Sequence, residues 1–326
     1  MRRLLACVAL VACGGGGAGA PQPIVVPVQA GADAGAPSSE RVEKRTAPPG
    51  SNGPADATSM IGAPGAIVTA DVESLMLWNS AEIRKQRTAE AFGHALTSTL
   101  VGWDMFMPSD LVDPVKDIDW VLIAGSLMLG STSENLFLAH YNVPEDRAEA
   151  VVKQLVARLP HAKRDGRGLT AEIDGATRVY LRPKPGVLAI VPPAEAKRVT
   201  DALGAIDLPV SVRPGELVRV VVNHHVRGLG SWLPPSMRRF RVWIPVLGDA
   251  TMRIAAESDL PDEAEAATAA FDVRTQLASL RRQTFFRIAA GGLLDPENVW
   301  ADGRTVRYDA PIDERLVELV GNAGQR

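Results

Sequence analysis

Apolar residues follow two regular spacings along most of the chain, and the alternation between them defines the predicted elements. Runs that are apolar at consecutive positions, such as residues 120–124, suit strands in the interior of a sheet. A stripe at a spacing of about 3.6 residues predicts a helix that begins at Pro144, where a missing N–H costs nothing, and ends before Pro160. The mixture of both patterns predicts an α+β fold.

The same two spacings predict the other elements of the folded part. Strands are expected at 66–72, 136–141, 169–174, 178–181, 187–191, 217–222, 240–246, 251–256 and 305–309. Helices are expected at 72–100, 193–203, from Pro261 onward and at 313–320. Pairs such as Asp174-Gly175 and Pro185-Gly186 mark the turns between them.

The order of elements begins again after a junction at residues 209–214. Both long helices begin with a proline followed by two acidic residues, which the helix dipole favours. We therefore predict an internal repeat of two related β-α-β-β-α modules, each with a closing strand, over residues 63–208 and 209–326. The unit resembles the ferredoxin-like arrangement of helices on one face of an antiparallel sheet. Coincidence is the alternative, because proline followed by an acid is a common way to begin a helix.

The N-terminus has the outline of a secretory signal peptide. Arg2 and Arg3 precede a short apolar run that ends in Leu10-Val11-Ala12-Cys13. The run is too short to cross a bilayer, which needs about 20 apolar residues. Its last four residues resemble the signal of bacterial lipoproteins, which ends in a leucine, a small or aliphatic residue, a small residue and an invariant cysteine.

This resemblance implies how the chain is processed and where it resides. In bacterial lipoproteins a lipid is joined to the cysteine sulfur, the signal is cut before the cysteine, and the new amino group is acylated, with palmitate as a typical fatty acid. Residues 1–12 are then a removed signal peptide, and Cys13 is the lipid attachment site that holds the protein on a membrane. Gly14, in a place where Asp often retains such proteins in the inner membrane, implies the outer membrane facing the periplasm. An ordinary cleaved signal with an incidental Cys13 is the alternative.

Residues 13–62 are predicted to form a disordered tether behind this anchor. The segment is dominated by Gly, Ala, Pro and Ser, and the first aromatic residue of the chain is Trp78. Such a segment buries too little apolar surface to offset its conformational entropy. It would hold the folded part away from the bilayer.

Composition excludes several classes of protein. The chain has 326 residues, of which 46% are hydrophobic and 22% charged, with a net charge of −3. These values are typical of a globular protein, and the negative balance argues against nucleic acid as a main partner. Both cysteines, Cys7 and Cys13, lie in the targeting segment, which leaves none for a disulfide or a thiolate metal site in the folded part. We expect no cofactor and no metal.

Three groups of residues could be considered for metal binding or catalysis, but their spacing does not support either role. His224-His225 are adjacent at a strand end, so their side chains would point to opposite faces and could not chelate one ion. Asp113, Asp117 and Asp119 lack the spacing of an EF-hand loop. The segment 228–231 lacks the context of a nucleophile elbow around Ser231. None is assigned as catalytic.

A basic and aromatic stretch near residue 240 is the best candidate for a binding surface. Strand alternation places Arg239, Arg241 and Trp243 on one face, where they could bind an envelope protein or a glycan. We therefore expect an envelope lipoprotein that acts as a non-enzymatic binding or structural module. The alternatives are an envelope hydrolase with a site assembled from dispersed residues, and an accessory of lipid or cell-wall transport.

Overall fold

The computed structural model describes most of the chain from residue 45 onward. The described residues are 45–53, 55–69, 71–86, 88, 91–93, 95, 108, 110–125, 136–165, 168–173, 175–206, 212, 215–223, 233–245, 252–282, 292–313 and 317. Several predictions lie outside these residues: the signal peptide, Cys13, most of the tether, His224-His225, the segment 228–231 and nearly all of the final helix.

The described strands form one antiparallel 12-stranded sheet, so the protein is a mixed α and β fold. In chain order the strands are β1 (Ser74–Trp78), β2 (Ile118–Gly125), β3 (Leu136–Tyr141), β4 (Lys163–Asp165), β5 (Gly168–Ile173), β6 (Ala176–Leu181), β7 (Val187–Val191), β8 (Glu216–Val222), β9 (Phe240–Pro245), β10 (Met252–Asp259), β11 (Val299–Asp302) and β12 (Thr305–Ile312). Their order across the sheet is β11-β12-β10-β9-β8-β1-β2-β3-β7-β6-β5-β4.

Five α-helices are described around the sheet: α1 (Ala57–Ile61), α2 (Ser80–Ile83), α3 (Glu145–Ala157), α4 (Ala196–Gly204) and α5 (Glu263–Arg282). Short 3₁₀ helices cover Ala63–Ile67 and Pro296–Asn298. The predictions of α3, α4 and α5 are confirmed to within a few residues, as are those of most strands. Among the described residues, none of these helices has the length and apolarity needed to span a bilayer.

The sheet has two halves, which meet where β1 pairs with β8 and share the order of their first five strands. Outward from this centre one half runs β1-β2-β3-β7-β6 and continues with β5-β4, and the other runs β8-β9-β10-β12-β11. The two strand ends exchange matching hydrogen bonds of 2.9 Å, from the Asn79 N–H to the Leu217 carbonyl and from the Asn223 N–H to the Glu73 carbonyl. These two bonds are counterparts under the two-fold symmetry of the antiparallel β1–β8 pair.

The ferredoxin-like arrangement predicted for each module does not occur among the described strands. Consecutive strands β1, β2 and β3 are direct antiparallel neighbours, whereas a split β-α-β unit inserts another strand between two parallel ones. The strands of both predicted modules also belong to one sheet. Sequence spacing could not show this, because strand periodicity is independent of which strand pairs with which.

The start of the folded part also differs from the prediction. Residues 66 and 67 of the predicted strand 66–72 belong to a 3₁₀ helix over Ala63–Ile67. The first described strand is Ser74–Trp78, which the prediction had assigned to the helix 72–100. All five residues of β1 are buried, since it lies at the centre of the sheet with both faces covered. A short run of consecutive apolar residues such as 75–78 fits either a strand or a helix, and only the pairing in the sheet decided between them.

One apolar layer extends under both halves of the sheet, and a second lies under the first half and Val221 of β8. The continuous layer includes Met76, Val121, Phe137, Val220 and Val242, with α3 packed against it. On the opposite face, an apolar cluster includes strand residues of the first half together with residues of α1 and α4: Leu75, Leu122, Leu138, Ala189, Met60, Ile61, Val199 and Leu203. The same face of the second half is built differently.

Candidate functional site

The opposite face of the second half carries a row of charged side chains on adjacent strands. Arg241 on β9 pairs in register with Glu257 on β10, which pairs with Arg307 on β12. The Glu257 side chain is completely buried, and its two oxygens lie 2.9 Å from Arg241 Nε and 2.8 Å from Arg307 Nη1. A carboxylate between two guanidiniums compensates part of the cost of removing these charges from water.

A second pair of residues on this face joins an arginine to an indole. Arg219 on β8 is 1% exposed, and its Nε and Nη2 atoms each donate a 2.6 Å hydrogen bond to the Glu216 carboxylate. Its guanidinium carbon lies 4.9 Å from the ring centre of Trp243, which is fully buried. The geometry is that of a cation–π contact in a region that water does not reach.

Further acidic groups close this network at its outer side. Asp302 on β11 accepts a 3.0 Å hydrogen bond from Arg307 Nε. Asp259 accepts hydrogen bonds of 2.8 Å from Arg241 and 2.9 Å from the Thr305 hydroxyl. Positive and negative side chains thus alternate across four strands.

The charged face is covered by residues 45–53, here called the strap. Trp243 Nε1 donates a 2.7 Å hydrogen bond to the Pro49 carbonyl, and Arg219 Nη2 donates one of 3.0 Å to the Gly50 carbonyl. The Asn52 N–H donates a 2.8 Å hydrogen bond to Glu257. The main chain of the strap is therefore bound by the same residues that form the network.

The sequence of the strap explains its path. Two turns follow one another, closed by hydrogen bonds of 3.0 Å from the Ser51 N–H to Pro48 and 3.1 Å from the Gly53 N–H to Gly50. Gly50 has φ = +85°, as the third residue of a Pro-Gly turn requires. A Cβ on Gly50 would lie 2.8 Å from Trp243 Nε1, and one on Gly53 would lie 2.5 Å from Arg219 Nη2. Only glycine allows this close approach.

The strap corrects the predicted extent of the tether. The disordered segment was expected to reach residue 62, but residues 45–53 cover the charged face and α1 inserts Met60 and Ile61, 1% and 0% exposed, into the core. A low content of large apolar residues had predicted disorder, but it does not preclude order in the strap, because main-chain hydrogen bonds fix that segment to the sheet.

The same contacts correct the predicted surface patch. Alternation correctly placed Arg241 and Trp243 on one face, but Trp243 is buried under Pro49 and Arg241 is engaged by Glu257 and Asp259. Of the three predicted residues only Arg239 is exposed, and its Nε donates a 3.1 Å hydrogen bond to the Asn223 carbonyl. The reason is that the cover comes from a segment almost 200 residues earlier in the chain.

Sequence reasoning missed the centre of this network, Arg219 and Glu257. A signal was present for Arg219, which interrupts the apolar run 217–222 of a strand that is buried on both faces. A charge at such a position requires a partner inside the protein. Its partner is Glu216, three residues earlier on the same strand. The partners of Glu257, which are Arg241 and Arg307, belong to other strands and could not be read from the sequence.

A second polar cluster lies on the first half, around Asp119 and His140. The Asp119 carboxylate accepts hydrogen bonds of 2.6 Å from Arg84 and 3.2 Å from Asn142, and lies 3.0 Å from His140 Nδ1. Burial raises the pKa of Asp119, but these hydrogen bonds and the charge of Arg84 lower it more, so its pKa is below the ordinary value. The carboxylate therefore stays charged and orients the imidazole.

The geometry of His140 favours a structural role for this pair. The other ring nitrogen, Nε2, faces the backbone, 3.1 Å from the position that a Cβ on Gly186 would occupy. The ring also stacks on Trp120, with ring centres 6.0 Å apart. A general base needs its free nitrogen next to a substrate proton. The contact instead fastens β2 to β3 and to the turn before β7.

The other aspartates considered for a metal site stabilise local turns. Asp113 accepts hydrogen bonds of 2.9 Å from the N–H groups of Val115 and Lys116. Asp117 accepts from the Asp113 N–H and from Arg147. Within the described part of the chain, no group of three or more His, Cys, Asp or Glu side chains is placed to hold a metal ion.

An apolar crevice beside α3 bears on the alternative of lipid transport. Its lining includes Leu111, Val112, Val151, Leu155 and Leu188. These residues also belong to, or pack against, the continuous apolar core. The crevice is therefore part of the packing between α3 and the sheet.

The strap on its charged face is thus the most specific construction in the described residues. It brings together a glycine-rich turn, a buried salt-bridge network and two aromatic contacts, since the Arg45 guanidinium also lies 5.5 Å from the ring centre of Trp300. No protein-family model, curated protein or solved structure matches this chain.

Proposed function

We propose that this chain is a lipid-anchored protein of the bacterial envelope, held through Cys13 in the outer membrane on the periplasmic side, and that it acts as a non-enzymatic binding or structural module. The basic residues Arg2 and Arg3, the short apolar run and the sequence Leu10-Val11-Ala12-Cys13 support the anchor. Two acyl chains or more give lasting attachment, whereas a single chain binds reversibly.

The docked strap is the observation that carries the proposal. The chain that arrives from the anchor is fixed to the fold at Pro49, Gly50 and Asn52 before it enters α1. The stretch between Cys13 and Arg45 is about thirty residues long and, as a flexible chain, would span roughly 30 Å. A module attached in this way has a defined exit point for its tether and stands clear of the bilayer.

The chemistry of the charged face supports a structural or binding role over a reactive one. Glu257 accepts hydrogen bonds from Arg241, Arg307 and the Asn52 N–H, which occupy both of its oxygens. A carboxylate saturated in this way holds neighbouring strands and the strap together. It is poorly disposed to take a proton from a substrate.

We further propose that the two halves of the sheet arose by duplication of a unit of three consecutive strands, a helix and a returning hairpin. The shared strand order supports this proposal. So does a second pair of matching hydrogen bonds, both 2.9 Å long, from the Tyr141 N–H to Gly186 and from the Leu260 N–H to Arg304.

Replacement of Cys13 by serine tests the anchor. The wild-type chain should label with palmitate and fractionate with the outer membrane, whereas Cys13→Ser should be unlabelled and released. Cys7→Ser is the matched control and should behave as wild type, because Cys7 is expected to leave with the signal peptide. A Cys13→Ser protein that stayed in the membrane fraction would contradict the proposal.

Replacement of His140 by alanine tests the non-enzymatic assignment. The variant should keep the cellular phenotype of the wild type in a strain that lacks the native copy. Loss of that phenotype in a variant with an unchanged circular dichroism spectrum would favour the envelope hydrolase instead.

A further inference from the structure

Several equivalent positions in the two halves of the sheet carry apolar side chains in the first half and charged side chains in the second. In the first half one row of paired residues runs Leu77, Leu122, Leu138, Ala189 and Leu181. The corresponding row of the second half runs Val221, Arg241, Glu257, Arg307 and Trp300. Met76 and Val220 pair at the centre of the β1–β8 register. Leu75 precedes Met76 and Arg219 precedes Val220, so Leu75 of the first half corresponds to Arg219 of the second.

The covers over the two rows differ in the same way. The leucine row lies under the apolar side chains of α1 and α4, and its exposure to water would be unfavourable in proportion to the apolar area uncovered. The charged row lies under the strap. If the strap leaves, water hydrates these ions, and this hydration returns part of the free energy that their burial costs. A face built of charged residues therefore tolerates the loss of its cover far better than one built of leucines.

The attachment of the strap is also of a kind that can be released locally. Its contacts with Trp243, Arg219 and Glu257 are hydrogen bonds to its main chain, whereas α1 is held by buried Met60 and Ile61. Exposed residues Ala55 and Asp56 separate the two segments. Segments with few buried apolar contacts open at a lower free energy than the core, so the strap can leave while α1 stays in place.

The fit between strap and face is incomplete within the part of the chain that the structure describes. Arg219 Nη1 and the Ser51 hydroxyl are buried without a hydrogen-bond partner among the described residues. A buried polar group without a partner reduces the net stability of the contact that buries it. The strap therefore fits the charged face in shape, but its contacts with that face are less stable than contacts in which every polar group is paired.

We propose that the charged face around Arg219, Trp243 and Glu257 is a binding site for a Pro-Pro-Gly turn segment. In a single chain the strap of that chain occupies the site. In a dimer the strap of a second copy of this chain occupies it in exchange. The site selects this segment because Gly50 and Gly53 approach it too closely for any side chain. A second copy carries the identical segment, which residues 54–56 join to its own α1. Reciprocal exchange of two straps gives a closed dimer with two-fold symmetry.

Competition within the chain determines when the exchange occurs. A segment joined to its site by a short linker has an effective concentration in the millimolar range, so dilute protein is expected to fill the site by itself. Crowding on one membrane leaflet raises the concentration of second copies. The inference deepens the proposed binding role, but it does not depend on the lipid, and its test uses the unlipidated Cys13→Ser chain.

Binding of the isolated segment tests the site itself. The probe is a fluorescent peptide of residues 45–56, and the protein is the full Cys13→Ser chain with Gly50→Val and Gly53→Val added to displace its own strap. Fluorescence anisotropy should show binding to this chain with at least roughly tenfold higher apparent affinity than to a Thr46→Val control, whose strap remains in place. A peptide with the same two valines should not bind.

Refolding tests the second copy. The Cys13→Ser chain, refolded from urea at high concentration, should give a dimer in light scattering and a monomer at low concentration. The chain with Gly50→Val and Gly53→Val should give a monomer at both. The proposal is overturned if the peptide fails to bind a strap-displaced chain whose circular dichroism and melting transition remain native. It is equally overturned if the peptide binds but the concentrated wild-type strap never yields a dimer.

Discussion

Replacement of Glu257 by leucine should destabilise the fold strongly, because it removes the carboxylate that two buried guanidiniums share. Removal of one partner from a buried ion pair typically costs about 3–5 kcal/mol. Arg241 retains Asp259 and Arg307 retains Asp302, so both arginines keep one acidic neighbour. We therefore expect a loss near the lower end, about 3 kcal/mol in the free energy of unfolding.

The first half of the sheet supplies the compensated variant. Leu122, Leu138 and Ala189 occupy the positions that correspond to Arg241, Glu257 and Arg307. The triple replacement Arg241→Leu, Glu257→Leu and Arg307→Ala recreates that apolar row. Because replacement of a whole buried ion cluster by apolar residues is often neutral or stabilising, the triple variant should recover most of the stability that Glu257→Leu loses.

Urea unfolding, followed by far-ultraviolet circular dichroism and tryptophan fluorescence, measures both effects as changes in midpoint at constant slope. A Glu257→Leu variant within about 1 kcal/mol of wild type would refute a tightly buried network, since surface ion pairs contribute no more than this. A triple variant no more stable than Glu257→Leu would refute the correspondence between the two rows.

Three further outcomes are expected. Asp119→Asn should be less stable than wild type at neutral pH, and the difference should disappear as the pH falls below 3.8, the ordinary pKa of an aspartate. The reason is that the pKa of Asp119 is lowered in the folded state, so the stability that its charged form contributes is lost on protonation. Urea midpoints at neutral and acidic pH measure this difference. Gly65→Ala should cost about 1–3 kcal/mol, because its Cβ would lie 2.3 Å from the backbone of α1, whereas Gly204→Ala, with open space, should gain about 0.4–1 kcal/mol in the same assay. Arg239→Glu at the surface should shift thermal unfolding little, whereas Arg241→Glu, which faces a buried carboxylate, should lower the melting temperature by several degrees.

The pattern of apolar residues predicted an element correctly where the element is long enough to show its own periodicity. Strands β3 and β7 were predicted with their observed bounds, and α3 was predicted from its apolar stripe and its proline start. The missed strands β4 and β11 are short edge strands, three and four residues long, whose pattern is too brief to show a period. They are stabilised by pairing with β5 and β12, which is a property of the sheet.

The candidate site divides in the same way. Sequence alone determined that Arg241 and Trp243 share a strand face, since alternation is a property of any strand. Tertiary structure alone decided that the face is internal, because the cover is a glycine turn whose φ angles and close approach become necessary only against Trp243 and Arg219. Periodicity reports which way a side chain points, and burial depends on what a distant segment places over it.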